Sequence, residues 1–365
     1  MNLEIGLSGK PSDAHERIEK PDYSPLKREY SGKSPFRGDF HCHAATGGTS
    51  DGQTSLAKWR EMSESLGLDF VGVLDHRQVR HLYLKEYSKD FFLCGTEPAI
   101  KFCDMNIPVA MIHYLMFFRR PEDLSILLDR YPDVYGFTGS EFGTEGHFEY
   151  RSVKRERFME IIREVYDMGG FVSHPHPSDV MVSDNTLDYF FGDGVGFEVI
   201  YRDDKRITEE DYRLWTELLE MGKKPVITST DDTHGAPEGV SINTVYLTEK
   251  TNDNLVDALR CGNLNGGKCG IKMCIGNTVQ GGTCSPYDIG KPLLFEAGDL
   301  HKSVPSDHDY RLDILTDKGV AYSEKGVFPF TGALKTKPGR LFYRIEIYDL
   351  TEGKLFALSN PVYCV

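Results

Sequence analysis

The chain has 365 residues, 39% of them hydrophobic and 27% charged, with a formal net charge of −14. These values fit a soluble globular protein with room for one large domain and a small one, or for two ordinary domains. They argue against a nucleic-acid polymer as partner, which calls for a basic footprint, but leave room for a local pocket that takes a small anion.

Residues 1–35 are polar, contain proline and show no clear period, so a loosely packed N-terminal arm is expected. There is no signal-peptide-like segment and no run of roughly 18 apolar residues. A cytoplasmic location without membrane association is the expectation. The eight cysteines include no C-x-x-C pair and read as reduced, mostly buried thiols.

From Arg37 onward strands alternate with helices. The segment "GDFHCH" closes an apolar run on two histidines, and the small-residue stretch "AATGGTSDG" follows. "SLAKWREMSESLG" from Ser55 predicts a helix that Gly67 ends. "FVGVLDH" from Phe70 predicts a short buried strand. The cycle repeats with the helix in "VKRERFMEIIREVYDMGG", the strand "FVSHPHP", the strand in "VGFEVIYRDD", the helix "TEEDYRLWTELLEMG" and the strand in "KPVITSTDDTHG". Such alternation implies parallel pairing, in a barrel or a doubly wound sheet. After about Val240, "NDNLVDALRCG" predicts a last helix and a Gly-rich stretch follows. Beyond it the apolar period becomes two, with Leu341, Tyr343, Ile345 and Ile347 on one strand face. The expected divisions are therefore an arm at 1–35, an α/β domain at 36–262 and a small β-sandwich-like domain at 263–365.

Polar residues collect at strand ends. His41 and His43, His76, His174 and His176, and Asp232 and His234 each follow an apolar run, as does Glu97 after "FFLCG". In a parallel α/β sheet or barrel those ends open on one face, where active sites are built. Imidazoles and carboxylates are the usual ligands of Zn, Mn and Fe. His41, His43, Asp51, His76, Glu97, His113, His176, Asp232 and His234 are enough for two or three ions, with His174 the alternative to His176. Glu198 in "GFEVIY" is a candidate ligand or a support for one. His81, His147, His301 and His308 read as ordinary polar residues.

These motifs resemble those of the PHP family, the polymerase and histidinol phosphatase family of metal-dependent phosphoesterases. "DFHCHAATGGTSDG" resembles its D-x-H-x-H motif, "FVGVLDHRQV" its T-D-H-N strand end, and "GTE" its G-x-E. "GGFVSHPHP" resembles its H-P strand, and "STDDTH" its S-D-A-H signature. The spacing from His43 to Asp51 is about three residues longer than usual for the family. In the tail, "LVDALRCGNLNG" and "LSNPVYCV" resemble the closing helix and the ending of a small β domain in a stand-alone bacterial branch. The resemblance implies a distorted (β/α)7 TIM-like barrel over 36–262 with a two- or three-metal centre at the strand ends. Carried over by position, His41, His43, Asp51, His76, Glu97, His113, Asp232 and His234 match ligands, with His176 or His174 from the H-P strand.

The expected activity is hydrolysis of a small phosphoester, mono- or diester, by a metal-bridged hydroxide. Arg77, directly after the D-H motif, is a candidate contact for phosphate or carboxylate, and His176 and His234 are candidates for direct catalytic roles. Two other readings start from the same residues. One is amidohydrolase-like cleavage of a C–N or carboxyl-ester bond, and the other is a non-catalytic binding protein that retains metal.

Overall fold

Helices begin and end where the sequence supplies caps. In this computed structural model, which describes residues 12–105, 111–138, 147–150, 152–179, 192, 194–202, 204–237, 239 and 241–364, Ser55 caps the helix α1 (Leu56–Ser65). Its hydroxyl accepts from the Lys58 N–H at 3.4 Å, and Gly67 past the end takes a left-handed φ of 70°, as a helix C-terminus favours. The helices α2 (Pro121–Arg130), α3 (Arg155–Asp167), α4 (Lys205–Glu220) and α5 (Asn252–Cys261) follow. α4 buries Thr208, Asp211, Tyr212, Leu214, Trp215, Leu218 and Leu219, the three-and-four spacing of one helical face. No described helix is long and apolar enough to cross a membrane.

The chain divides into two units, one made of 36–242 and 249–260, the other of 12–35, 243–248 and 261–364. In the first unit seven strands carry most of the site, and His113 ends a further two-residue strand, Ile112–His113. The seven are β1 (Ser34–Cys42), β2 (Phe70–Val73), β3 (Gly95–Thr96), β4 (Leu115–Phe117), β5 (Phe171–His174), β6 (Gly196–Tyr201) and β7 (Val226–Thr230). β1 and β2 pair in parallel. β7, β6, β5, β4 and β3 form a second sheet in that order, parallel from β5 to β7, with β4 antiparallel to both of its neighbours. β2, β5, β6 and β7 are buried at every position, which explains their unbroken apolar runs.

The continuous seven-stranded barrel expected from the motifs is not formed among the described residues, because the ladders stop at two places. Between β2 and β3 only the isolated bridges Val71–Phe92 and His76–Glu97 are made, and beyond β7 only Cys42–Thr233 reaches β1. β3 is two residues long and cannot carry a longer ladder. The antiparallel direction of β4 is a second departure from the strict strand–helix alternation.

The other unit is antiparallel β. Its strands are β8 (Asn243–Leu247), β9 (Leu264–Gly267), β10 (Gly270–Ile275), β11 (Thr278–Val279), β12 (Leu293–Gly298), β13 (Tyr310–Thr316), β14 (Gly319–Gly326), β15 (Phe330–Leu334), β16 (Phe342–Asp349), β17 (Lys354–Ser359) and β18 (Val362–Tyr363). One sheet runs β14-β13-β16-β17-β9-β8 with β18 also on β16, and another runs β11-β10-β12-β15. Ile271, Met273, Phe295, Leu312, Ile314, Tyr343, Ile345 and Ile347 share its core, as the period-two pattern predicts for the last three. Leu341 stands one position before β16.

The N-terminal residues are not a loose arm where they are described. The N–H groups of Asp13, His15 and Ile18 donate to the carbonyls of Val320, Ala321 and Ala333 at 2.9, 2.8 and 2.9 Å. Asp13 also ion-pairs with Arg340 and accepts from Thr316 Oγ1 at 2.8 Å. Polar composition misled here because the attachment is made by backbone hydrogen bonds, with the Asp13 carboxylate adding to them.

Candidate metal centre

The strand ends of the α/β unit bring the predicted ligands together. Three groups of side chains each place their donor atoms within 4.8 Å of one another: His41, His43 and Asp232; His43, Asp51, His76 and His234; and His76, Glu97 and His113. His43 and His76 each belong to two groups, so the three are contiguous. The rings of His43 and His234 stack at 4.2 Å, and those of His43 and His76 lie 4.3 Å apart.

The two carboxylates at the centre are closely approached. Glu97 Oε2 is 3.3 Å from His41 Nε2, 3.3 Å from His43 Nε2 and 2.8 Å from His76 Nδ1. Its Oε1 is 3.0 Å from His113 Nδ1 and 3.7 Å from His176 Nε2. Asp232 Oδ1 is 3.3 Å from His41 Nε2 and 3.1 Å from His43 Nε2. Asp51 Oδ1 is 3.2 Å from His234 Nε2 and Oδ2 is 3.6 Å from His76 Nε2, on the exposed side of the cluster.

These residues fit divalent cations for a reason visible at His41. Its Nδ1 lies 3.0 Å from Glu198 Oε1, so in the neutral ring Nδ1 carries the hydrogen and Nε2 is an acceptor. That acceptor faces the Glu97 and Asp232 oxygens, which are acceptors as well. His41 Nε2 and both Glu97 oxygens are buried without a well-formed hydrogen bond. Lone pairs facing lone pairs call for a cation between them. Ligands at about 2.0–2.1 Å from one ion, at tetrahedral angles, stand about 3.3 Å apart, which matches the separations around His41 and His43. The carboxylates draw positive charge to this place, a proton as well as a metal ion. Burial opposes charge on His41, but Asp232, Glu198 and Glu97 outweigh it and raise its pKa well above the ordinary value. Burial would raise Glu97, yet His41 and the surrounding histidines hold it well below the usual carboxylate range.

A surrounding layer orients the ligands. Glu198 spans two of them, since its Oε2 accepts the His176 N–H at 2.9 Å while Oε1 meets His41. Tyr201 donates its hydroxyl to Asp232 Oδ2 at 2.5 Å. Arg202 Nε donates to the Asp231 carbonyl at 2.8 Å, and its Nη2 lies 3.4 Å from Asp232 Oδ2. Trp59 Nε1 donates to the His43 carbonyl at 2.9 Å, and Asp39 Oδ1 accepts the His41 N–H at 3.0 Å. Carboxylate and hydroxyl partners of this kind fix tautomer and ring orientation.

The long turn from His43 to Asp51 hangs on Asp75. Asp75 Oδ1 accepts from the Ala44 N–H at 2.9 Å and Ser50 Oγ at 3.1 Å, while Oδ2 accepts from Thr46 Oγ1. Gln78 donates to Thr46 Oγ1 at 3.1 Å and to the Gly47 carbonyl at 2.7 Å. Gly47 and Gly48 take left-handed φ values of 78° and 66°. A Cβ on Gly52 would stand 2.4 Å from the Ala44 nitrogen, so the chain returns toward the histidines only with glycine there.

The candidates divide as follows. His41, His43, Asp51, His76, Glu97, His113, Asp232 and His234 all converge, and His176 joins them through Glu97. His174 does not; its ring packs against Tyr114 at 5.0 Å, and burial, followed by the charge of His176, pushes its pKa down to about 3. Arg77 lies beside the cluster, its N–H donating to the Glu97 carbonyl at 2.9 Å. His81 is buried 3.7 Å from Asp75, and the His147 side chain lies outside the described residues. His308 sits with Asp349 and Glu352 in the β unit, its Nδ1 2.6 Å from Asp349 Oδ2. The sequence did not single out Tyr201, Arg202 or Asp75, although each adjoins a strand-end histidine or acid.

Backbone strain marks the same place. Arg77, His176, Arg202 and Asp232 have φ of 52°, 33°, 49° and 38°, and Lys302 is the only other non-glycine residue with positive φ among the described residues. Left-handed non-glycine residues cluster at functional sites when the surroundings overdetermine them.

No family model and no curated protein matches the chain. Solved structures show partial likeness, among them the following three. The lesion-specific endonuclease PfuEndoQ from Pyrococcus furiosus has a TM-score of 0.44 at 14% identity over 62% of this chain, which spans 56% of the endonuclease's length. A protein from Bifidobacterium adolescentis described as a metal-dependent phosphoesterase has a TM-score of 0.38 at 20% identity, covering 62% of this chain and 96% of its own. An amidohydrolase from Chromobacterium violaceum has a TM-score of 0.36 at 13% identity, covering 55% and 89%.

Proposed function

We propose that the chain is a metal-dependent hydrolase that cleaves a small phosphoester and holds two or three divalent ions, Zn, Mn or Fe. The observation that carries this reading is the set of buried acceptors at Glu97 and Asp232 facing His41 Nε2, each at 3.3 Å, the separation of two ligands that share an ion. His41, His43 and Asp232 would hold one ion. His76, Glu97 and His113, with His176 alongside, would hold a second. Asp51 and His234 would complete a third with His43 and His76. When bound, such ions supply an activated water and polarise the bond to be broken.

The chain's own groups set up the rest. β1 to β7, joined at their two gaps by isolated bridges, are read as a distorted barrel whose strand ends carry the ligands. Glu198 holds the ring of His41, and Tyr201 and Arg202 hold Asp232. Arg77, beside Glu97, is the proposed contact for the substrate's anionic group, since guanidinium matches phosphate oxygens bidentately. His176 and His234 border the solvent side of the cluster and are the proposed groups nearest the leaving oxygen. The net charge of −14 favours a small phosphorylated substrate over a nucleic-acid polymer.

The test is metal analysis of the purified protein coupled to a screen of phosphomonoesters and phosphodiesters. Inorganic phosphate or a phosphomonoester should be released, the activity should vanish on exhaustive chelation, and Mn, Zn or Fe should restore it. Activity that survives chelation refutes the reading, and release of an amine or carboxylate instead of phosphate assigns the C–N or ester chemistry.

A further inference from the structure

We propose that Cys284 and Cys364 in the β unit form a reversible disulfide that fastens the C-terminal strand. The register carries the inference. The Tyr363 N–H donates to the Gly282 carbonyl at 2.9 Å and the Cys284 N–H to the Tyr363 carbonyl at 2.7 Å, so Thr283 and Tyr363 are parallel partners. The residues that follow them, Cys284 and Cys364, then lie side by side and point to one face. Neighbouring strands are about 4.8 Å apart, inside the roughly 4.4–6.8 Å window of Cα separations that disulfides span. Each thiol acts on the other's titration, Cys284 being lowered and Cys364 raised. The Cys364 N–H donates to the Leu341 carbonyl at 2.8 Å, which holds its backbone in place.

The pair divides the chemistry by exposure. Cys284 is buried and Cys364 is partly exposed, so a disulfide oxidant such as oxidised glutathione meets Cys364 first. The Cys364 thiol, whose proton Cys284 helps to hold, loses that proton to solvent as its sulfur attacks one glutathione sulfur and expels the other glutathione as thiolate. The Cys284 thiol then gives up its own proton, attacks the Cys364 sulfur and expels the second glutathione as thiolate. Two protein thiols lose two electrons and two protons, and one oxidised glutathione becomes two reduced ones. The bond ties β18 to the 283–284 segment and closes the chain between them. A thiol reductant reverses it.

The test uses the full chain incubated with oxidised glutathione, then denatured for thiol counting, intact mass and peptide mapping. Beyond glutathione taken up by the exposed Cys103 and Cys261, titratable thiols should fall by two, with one cross-linked peptide joining Cys284 to Cys364. The melting temperature should rise, and dithiothreitol should undo both changes. No such further fall, a persistent glutathione adduct on wild-type Cys364, or a link to another cysteine overturns the proposal. In Cys284→Ser the adduct should remain on Cys364. If that variant does not fold, the wild-type peptide map decides alone.

Discussion

Replacing Glu198 with glutamine tests whether the centre is built around a cation. Glu198 is 0% exposed and accepts twice, from His41 Nδ1 at 3.0 Å and from the His176 N–H at 2.9 Å. Glutamine keeps the shape but offers one acceptor and one donor. If the amide oxygen stays with the His176 N–H, its NH2 meets the N–H of His41. The imidazole must then turn away or move its hydrogen to Nε2, the atom that faces Glu97 and Asp232. A hydrogen bond to a charged group contributes about 1.5–3 kcal/mol, which at about 1.4 kcal/mol per tenfold is roughly 10- to 150-fold in affinity. Loss of such ligand-supporting partners typically costs about 10–100-fold, so Glu198→Gln should bind Zn about 10–100-fold more weakly. Competition with a chromophoric chelator measures the affinity, and melting of the metal-free protein reports the fold separately. An affinity within about twofold of wild type, with the melt unchanged, would refute the role given to Glu198 and weaken the reading of His41 as a ligand.

Three further outcomes follow from the packing and the charges. Trp59→Phe strips the buried donor from the His43 carbonyl and should lower stability by about 1–3 kcal/mol in urea unfolding, whereas an unchanged midpoint would show that the indole contact contributes nothing. In Gly72→Ala the new Cβ would lie 2.2 Å from the Phe40 carbonyl oxygen, so β1 and β2 must separate at a cost of about 1–3 kcal/mol or more, read by thermal melting. Asp13 is held well below the usual carboxylate range, because Arg340, His15 and Thr316 outweigh the opposing effect of burial. A depressed folded-state pKa gives stability that is present above the unfolded value of about 3.9 and lost as pH falls. The stability gap between wild type and Asp13→Asn should therefore be open at neutral pH and close in acid, and a gap independent of pH would contradict the ion pairing.

Much of the site was legible because metal ligands are few residue types and parallel strands stop at the same face. His41 and His43, His76, Glu97, and Asp232 and His234 all announce themselves at the end of an apolar run. What the sequence hid depends on contacts between distant segments. His174 and His176 flank one proline, and only the left-handed turn at His176 sends one toward Glu97 and leaves the other against Tyr114. Glu198 looks like an interior strand residue with an awkward charge until His41 is seen beside it. Asp75 sits next to the candidate ligand His76 and reads as part of its motif, yet its oxygens hold a turn some thirty residues earlier. The antiparallel β4 was missed because three apolar residues carry no direction, and the N-terminal segment because its attachment is made through backbone hydrogen bonds.

The left-handed residues at the strand ends bear on how this chain tolerates change. A non-glycine residue costs about 1–2 kcal/mol in that conformation, and glycine would relieve it. At Arg77 and Arg202, then, the substitution that best suits the backbone also removes a guanidinium from the site. At Arg202 that relief is offset by the lost contacts to Asp231 and Asp232, so selection for thermal stability alone should drift toward glycine at position 77 before 202, and selection for function should resist it at both. A variant recovered from a stability screen with glycine at position 77, folded more firmly but inactive, would separate what the backbone prefers from what the centre requires.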